Sequence, residues 1–418
     1  MSGGTNAASR PALHCLACGG TNLAMALDLG AQPPANFLLE RPEDAYPIYP
    51  LGLTWCRDCG HGQLPFLVAP EELFRHYLYA SGTSGTLGRF FDWFRDETAR
   101  VFPKGARLLE IACNDGSLLG RLAAAGFATL GVDPAENLVA EARRDGLDVL
   151  AEFWPCPEAL GDRAFDLIIG MNVLAHNPAP FEFLCGVREA LSRDGICVIQ
   201  TSQANMLVNG EFDTIYHEHY SFFTPRSMAA LTRRAGLEIR AVKLVDVHGT
   251  SFAFLLAKPG GGRDIEGYLS SPPFAVAAGD AHGSIVSRVT GSDTQYQTFA
   301  ETARARMETV RRIIARHRAA GRRICAVGAA AKALVFLHAA GLRPDYVYDE
   351  APLKIGRFIP AMGVPILALD RIAGLDEPAL IVISAWNYRN ELARKVRDRR
   401  PGRNDTFLVY FPEVEEFE

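Results

Sequence analysis

The stretch "LLEIACNDGSLL", residues 108–119, decides the fold class. "ARLLEIA" (106–112) is a short apolar run bounded by turn residues, as a fully buried strand requires. "CNDGS" reads as a turn, and "LLGRLAAAG" as a helix ended by Gly126. The alternation continues with strands at "ATLGVDP" (128–134), "FDLIIGMNVLAH" (165–176) and "GICVIQTS" (195–202). Strands interleaved with helices predict a doubly wound α/β sheet, with its site at the carboxyl ends of the strands.

The first turn also predicts the ligand. Glu110 lies at the end of the first strand, and Asp133 ends the second strand 23 residues later. In nucleoside-binding α/β folds an acid at the second position accepts hydrogen bonds from ribose hydroxyls. The turn Ala112-Cys113-Asn114-Asp115-Gly116 is not G-x-G-x-x-G, so it lacks the glycines that cradle a pyrophosphate. A cofactor with a ribose and no phosphate fits, and S-adenosylmethionine (SAM) is the candidate. Its ribose would meet Asp133, and its amino-acid end would lie near Glu110, Ala112 and Asn114. Gly116 allows close backbone approach, and Asn172 ends a later strand beside the crevice. The plain alternative is a Rossmann-like core whose strand-end groups only satisfy backbone.

Two C-x-x-C pairs, Cys15/Cys18 and Cys56/Cys59, stand within a loop-rich segment too poor in apolar residues for a good core. Each pair is followed by glycine (Gly19, Gly60), and four thiolates in two knuckles suit a structural, tetrahedral Zn2+. The other five cysteines are scattered singly, which argues against a disulfide framework. The 418 residues carry a net charge of −5, which gives no general attraction to nucleic acid or anionic membrane. No apolar run is long enough to span a bilayer, and "MSGGTNAASRPA" lacks a signal-peptide core. A cytoplasmic enzyme, monomeric or weakly dimeric, is expected.

These readings divide the chain into a flexible tail (1–12), a zinc-binding module (13–68), a SAM-binding domain (69–258), a Gly/Pro/Ser-rich linker (259–292) and a second α/β domain (293–418). Within the SAM-binding domain, residues 70–102 read as helical. A long helix is predicted over 293–320, and "RRICAVGAAAKALVFLHAAG" (322–341) opens the second Rossmann-like unit.

The motifs together resemble the SAM-dependent C-methyltransferases that act on nucleotide-linked 4-keto deoxysugars. The resemblance rests on the Cys pairs with "DLGAQPPANFL" (28–38) between them, "YLYASGTS" (77–84), "EIACNDG", "NVLAH" (172–176), "EFDTIYHEHYS" (211–221), "GAAAK" (328–332) and "AWN" (385–387). It implies a zinc module, a class I methyltransferase core and a last domain that helps hold the nucleotide sugar. That last role implies substrate contacts from Lys332, Asp349, Lys354 and Asn387, with Tyr77 and Ser84 joining them from the helical segment. The chain departs from the family's "D-R-N-P-x-K-x-G" by reading Asp349-Glu350-Ala351-Pro352-Leu353-Lys354-Ile355-Gly356, which leaves the nucleotide and sugar open.

"TIYHEHYSFFTP" (214–225) carries the chemistry. Carbon methylation beside a ketone needs a base for the C–H, a donor for the enolate oxygen and a pocket that aligns methyl and carbon. Histidine suits the base, a neighbouring carboxylate can orient it, and a tyrosine hydroxyl can donate. The resemblance maps Tyr216, Glu218 and His219 onto these roles, with His219 as base and Glu218 tuning it or touching the sugar. His176 faces the crevice, Tyr79 would reach in from the helical segment, and His217 packs locally. The spacing is not H-E-x-x-H, so a catalytic metal is ranked low. A same-fold methyltransferase on a non-sugar carbonyl and a non-methylating SAM-binding protein stay open. The missing G-x-G-x-x-G argues against an NAD-dependent oxidoreductase.

Overall fold

The computed structural model describes residues 8–74, 85–276 and 285–418. Its centre is a seven-stranded sheet. In spatial order the strands are Glu238–Val245, Ser251–Ala257, Leu191–Thr201, Phe165–Met171, Arg107–Ile111, Ala128–Val132 and Val149–Leu150. Ser251–Ala257 alone runs against the rest: it pairs antiparallel with both Glu238–Val245 and Leu191–Thr201, and the other six strands share one direction. Leu108, Leu109, Leu167, Ile168, Ile169, Ile196 and Val198 are fully buried, as expected where helices cover both faces. Strand order reverses between Arg107–Ile111 and Phe165–Met171, so the crevice opens at the carboxyl ends of these two strands.

The second sheet is also seven-stranded. It runs Phe358–Ile359, Val364–Ala368, Tyr346–Asp349, Arg323–Val327, Ala379–Ile383, Thr406–Val409, Glu415–Phe417, with antiparallel strands at both edges. The helix Asp293–Ala319 leads into it, one residue shorter than expected. No helix among the described residues is long and apolar enough to cross a membrane.

The zinc module forms a four-stranded antiparallel sheet ordered Ser221–Phe222, Gly62–Gln63, Tyr49–Cys56, Leu23–Gln32. Its first strand is the end of the Tyr-His-Glu-His segment. That segment therefore hangs on the zinc module, although it lies over 150 residues further along the chain.

Three boundaries differ from the sequence reading. Arg10–Pro11 pair with Phe66–Leu67, so the tail expected over 1–12 is tied down before Cys15. The linker expected over 259–292 is docked in its first half: Tyr268, Leu269 and Phe274 are buried against the helix Gly85–Val101 and the sheet of the central domain. Composition marked the turns there correctly but not the aromatic side chains that anchor them. The strand expected over 165–176 stops at Met171, and His176 sits in a single 3-10 turn, Leu174–His176. Tyr77, Tyr79 and Ser84 lie outside the described residues.

Candidate active site

The four thiols converge. The Sγ atoms of Cys15, Cys18, Cys56 and Cys59 all lie within 4.8 Å of one another, with Cys15–Cys59 at 3.5 Å and Cys18–Cys56 at 3.6 Å. Tetrahedral zinc with Zn–S bonds of about 2.3 Å places sulfurs about 3.8 Å apart, so the cluster fits the ion with little adjustment. The Cys18 amide points at the Cys15 sulfur, and the Gly20 amide at the Cys18 sulfur. Four protein ligands close the site, which makes zinc structural.

The SAM crevice is built by strained backbone. Of the non-glycine residues with positive φ, Ala112, Asn114, Asn172, Gln203, His248 and Thr250 all lie on the rim formed by the strands' carboxyl ends. Such conformations each cost about 1–3 kcal/mol and gather at functional sites. Asp133 accepts hydrogen bonds from the Asn114 and Ala135 amides, both at 2.9 Å, and so fixes the first turn. Gly116 has φ 75°, a left-handed conformation that favours glycine, and a Cβ there would also press on Leu147 Cδ1 at 2.5 Å. Asn172 donates to His248 Nδ1 (3.0 Å) and accepts from the Ser202 amide (3.1 Å).

Glu110 is 5 % exposed, and its Oε2 is buried with no hydrogen-bond partner among the described residues. Burial, then the charges of Asp115 and Asp133, push its carboxyl well above the usual range. A pocket that gathers three acids and an orphaned carboxylate oxygen calls for a cation with donors. The ammonium and sulfonium of SAM supply positive charge, and its ribose supplies donors for Asp133. Glu110, Asn114 and Asp133 would hold it, and when bound it supplies an electrophilic methyl group.

The segment 214–225 contains a tight turn. The His219 amide donates to the Tyr216 carbonyl at 2.8 Å, which closes the Tyr216 ring on the His219 ring with centroids 3.9 Å apart. His219 Nδ1 lies 2.8 Å from the Thr214 carbonyl oxygen, and the Tyr216 hydroxyl lies 2.8 Å from Nε2. A carbonyl only accepts, so the Thr214 contact places the ring proton on Nδ1 and leaves the Nε2 lone pair to the Tyr216 hydroxyl; Gln203 fits this tautomer with its amide turned so that Oε1 rather than Nε2 faces Nδ1. Burial depresses the His219 pKa well below its ordinary value; His176, 4.6 Å away between ring centroids, and Lys332 push in the same direction. Burial likewise brings His176 down to about 4. Both rings are neutral near pH 7. Tyr220 anchors the exit from the turn through its hydroxyl on the Val68 carbonyl, and Thr224 caps the helix Pro225–Arg234 that follows.

Glu218 does not orient His219, contrary to the simplest reading of adjacent acid and histidine. The turn throws its side chain the other way, where Oε1 accepts from Asn36 Nδ2 at 2.6 Å. The orienting acceptor is the Thr214 carbonyl. Burial raises the Glu218 carboxyl to about 7. His217 packs as expected, edge-on to Tyr49 and with Nε2 near the Tyr49 carbonyl.

The second α/β domain reaches this cluster. Trp386 Nε1 donates to Asp213 Oδ2 at 2.8 Å, and Lys332 Nζ lies over the Trp386 ring at 5.4 Å. Asp213 is fully buried; burial raises its carboxyl to about 7 while Lys332 opposes the rise. Lys332 thus stands beside the segment that carries Asp213 and His219. Asp349 accepts from the Ala329 and Ala351 amides (2.7 Å each), and Lys354 donates to the Ala329 carbonyl. These residues form a second crest like that of Asp133. Asn387 is exposed, one residue beyond Trp386. Glu350, the acid that replaces a base, is ion-paired with Lys395 at 2.6 Å.

Asn36, Gln203, Asp213 and Trp386 were not singled out as site residues from the sequence. Asn36, Asp213 and Trp386 lie inside motifs quoted above, which is the signal that points to them. Gln203, whose amide nitrogen is 2.7 Å from His219 Nδ1, follows a strand's end with φ 78°.

Comparisons with known proteins agree with this architecture. Residues 15–74 match a zinc binding domain, 87–242 a methyltransferase domain and 287–412 a C-methyltransferase C-terminal domain. The chain is 28% identical over 422 residues to the C-methyltransferase NovU of Streptomyces niveus, covering 97% of this chain and 96% of that one. A ubiquinone biosynthesis O-methyltransferase of Cereibacter sphaeroides is 29% identical over 34% of the chain and 65% of its own length. A tRNA U34 carboxymethyltransferase of Pseudomonas paraeruginosa is 31% identical over 38% of the chain and 53% of its own length. The chain is thus a SAM-dependent C-methyltransferase along which matches to a zinc binding domain, a methyltransferase domain and a C-methyltransferase C-terminal domain follow one another.

Proposed function

We propose that the chain methylates the carbon next to the ketone of a nucleotide-linked 4-keto-6-deoxysugar, at carbon 3 in preference to carbon 5. The observation that carries the chemistry is the setting of His219: Nδ1–H is tied to a carbonyl, and Nε2 faces a tyrosine hydroxyl beside the SAM crevice. His219 Nε2 takes the proton from the carbon. The Thr214 carbonyl supports the imidazolium that forms, because a hydrogen bond to the charged ring favours it. The Tyr216 hydroxyl, released from Nε2, donates to the enolate oxygen.

The second domain supports a nucleotide-linked substrate. Lys332, Asp349 and Lys354 collect around the carboxyl ends of its sheet, and Lys332 also reaches the catalytic turn. The resemblance noted from the sequence assigns this domain to the nucleotide sugar. The departure at Glu350, which is ion-paired with Lys395, favours the second reading, a different carbonyl substrate, because an acid stands where the motif has a base.

The test is mass spectrometry of dTDP-, UDP-, GDP- and CDP-linked 4-keto-6-deoxysugars incubated with the protein and labelled SAM. A gain of one methyl on a sugar is expected. No methyl gain on any of them transfers the assignment to a non-sugar carbonyl compound.

A further inference from the structure

We propose that the zinc module contributes a positioning residue to the active site, Asn36, whose amide holds the Glu218 carboxyl in place. This rests on the reading of Glu218 as part of the catalytic machinery. The Asn36–Glu218 hydrogen bond, 2.6 Å long, spans 182 residues of sequence. It is the one hydrogen bond to the Glu218 carboxyl among the described residues, and Glu218 is only 4 % exposed. A buried carboxylate with a single donor depends on that donor for both its orientation and its charge.

Asn36 is itself exposed, and the loop that carries it is held on both sides. Gln32, 3 % exposed, donates from Nε2 to the Leu29 carbonyl and pins the approach to the loop. Pro33, Pro34 and Ala35 are buried, and the Phe37 amide closes a turn on the Pro34 carbonyl. Leu39 then bridges to Phe358 of the second α/β domain. The catalytic turn is held from the same side by the pairing of Ser221–Phe222 with Gly62–Gln63. Donor and acceptor are thus carried by one sheet and its adjoining loop.

The titratable groups near Glu218 are His176, which hydrogen-bonds its main chain, Tyr220, whose phenol it pushes up, and the neighbours His217 and His219. Among the described residues no lysine or arginine acts on the carboxyl. Burial leaves it poised at about 7, and Asn36 opposes the rise. The ionised form is present above that pH. Activity that needs ionised Glu218 therefore falls as pH drops through about 7. Loss of the Asn36 donor moves that acidic limb to higher pH.

The experiment compares Asn36→Asp, Asn36→Ala, Glu218→Gln and the double variant Asn36→Ala/Glu218→Gln as full-length, zinc-loaded chains. Methyl transfer is followed against pH, alongside zinc content, melting temperature and SAM affinity. Asn36→Asp is nearly isosteric and puts a like charge on Glu218. The expected result is a turnover loss of about 10-fold or more in both Asn36 variants, from a lost bond to a charged group. The acidic limb shifts upward, furthest in Asn36→Asp, while zinc content and SAM affinity are retained. The double variant is no slower than Glu218→Gln alone, because the pair acts as one unit. Asn36 variants with full turnover and an unmoved limb, beside a slow Glu218→Gln, overturn the proposal. A Glu218→Gln variant at full rate overturns the underlying reading of Glu218 instead, and the role of Asn36 with it.

Discussion

Replacing His219 with Asn is expected to lower turnover by about 10²- to 10⁴-fold, the range a positioned general base contributes. Asparagine keeps a donor for the Thr214 carbonyl, so the turn that carries Tyr216 and His219 should survive. What disappears is the Nε2 lone pair that faces the Tyr216 hydroxyl. SAM affinity should change less than about threefold, because the acids that would hold it, Glu110 and Asp133, belong to other strands. Single-turnover kinetics with isothermal titration separate the two effects. Equal losses in turnover and SAM affinity would mean that His219 shapes the crevice and is not the base.

Cys56→Ser is expected to unfold the zinc module and stop catalysis with it. Structural zinc contributes apparent binding energies of about 10–16 kcal/mol in small zinc peptides, and most of that is folding energy. Cys56 ends the strand Tyr49–Cys56, which pairs with Gly62–Gln63, which in turn pairs with Ser221–Phe222, directly after the proposed base His219. Loss of the ion removes the support of that segment as well as its own knuckles. The expected readout is loss of bound zinc, a fall in melting temperature of about 10 °C or more, and parallel loss of methyl transfer. A variant that loses zinc yet keeps both stability and turnover would show that the module stands on its apolar contacts alone.

Much of the fold was legible because its signals are local. Apolar runs near Leu108, Leu130, Ile168 and Val198 became the buried strands, and the acids at their ends became the rim of the crevice. The cysteine pairs were legible because tetrahedral thiolate coordination demands that spacing. What escaped depends on contacts between distant segments. Nothing local shows that Asn36 reaches Glu218, or that Trp386 reaches Asp213. Glu218 and His219 looked like an acid–base pair because they are adjacent. Adjacency misleads in a turn, where the 216–219 hydrogen bond brings Tyr216 and His219 together and sends Glu218 away. The segment 259–276 looked like a linker because glycines and prolines report backbone turns, not where Tyr268 and Phe274 are buried.

The central claim is that a new carbon–carbon bond forms next to a ketone, with His219 removing the proton. The most direct measurement is carbon NMR of the product made with ¹³C-methyl SAM. The account predicts a methyl carbon coupled to the ring carbon beside the ketone, absent when His219→Asn replaces the native chain. A labelled methyl attached to oxygen or nitrogen, or a product formed equally well by His219→Asn, would contradict it.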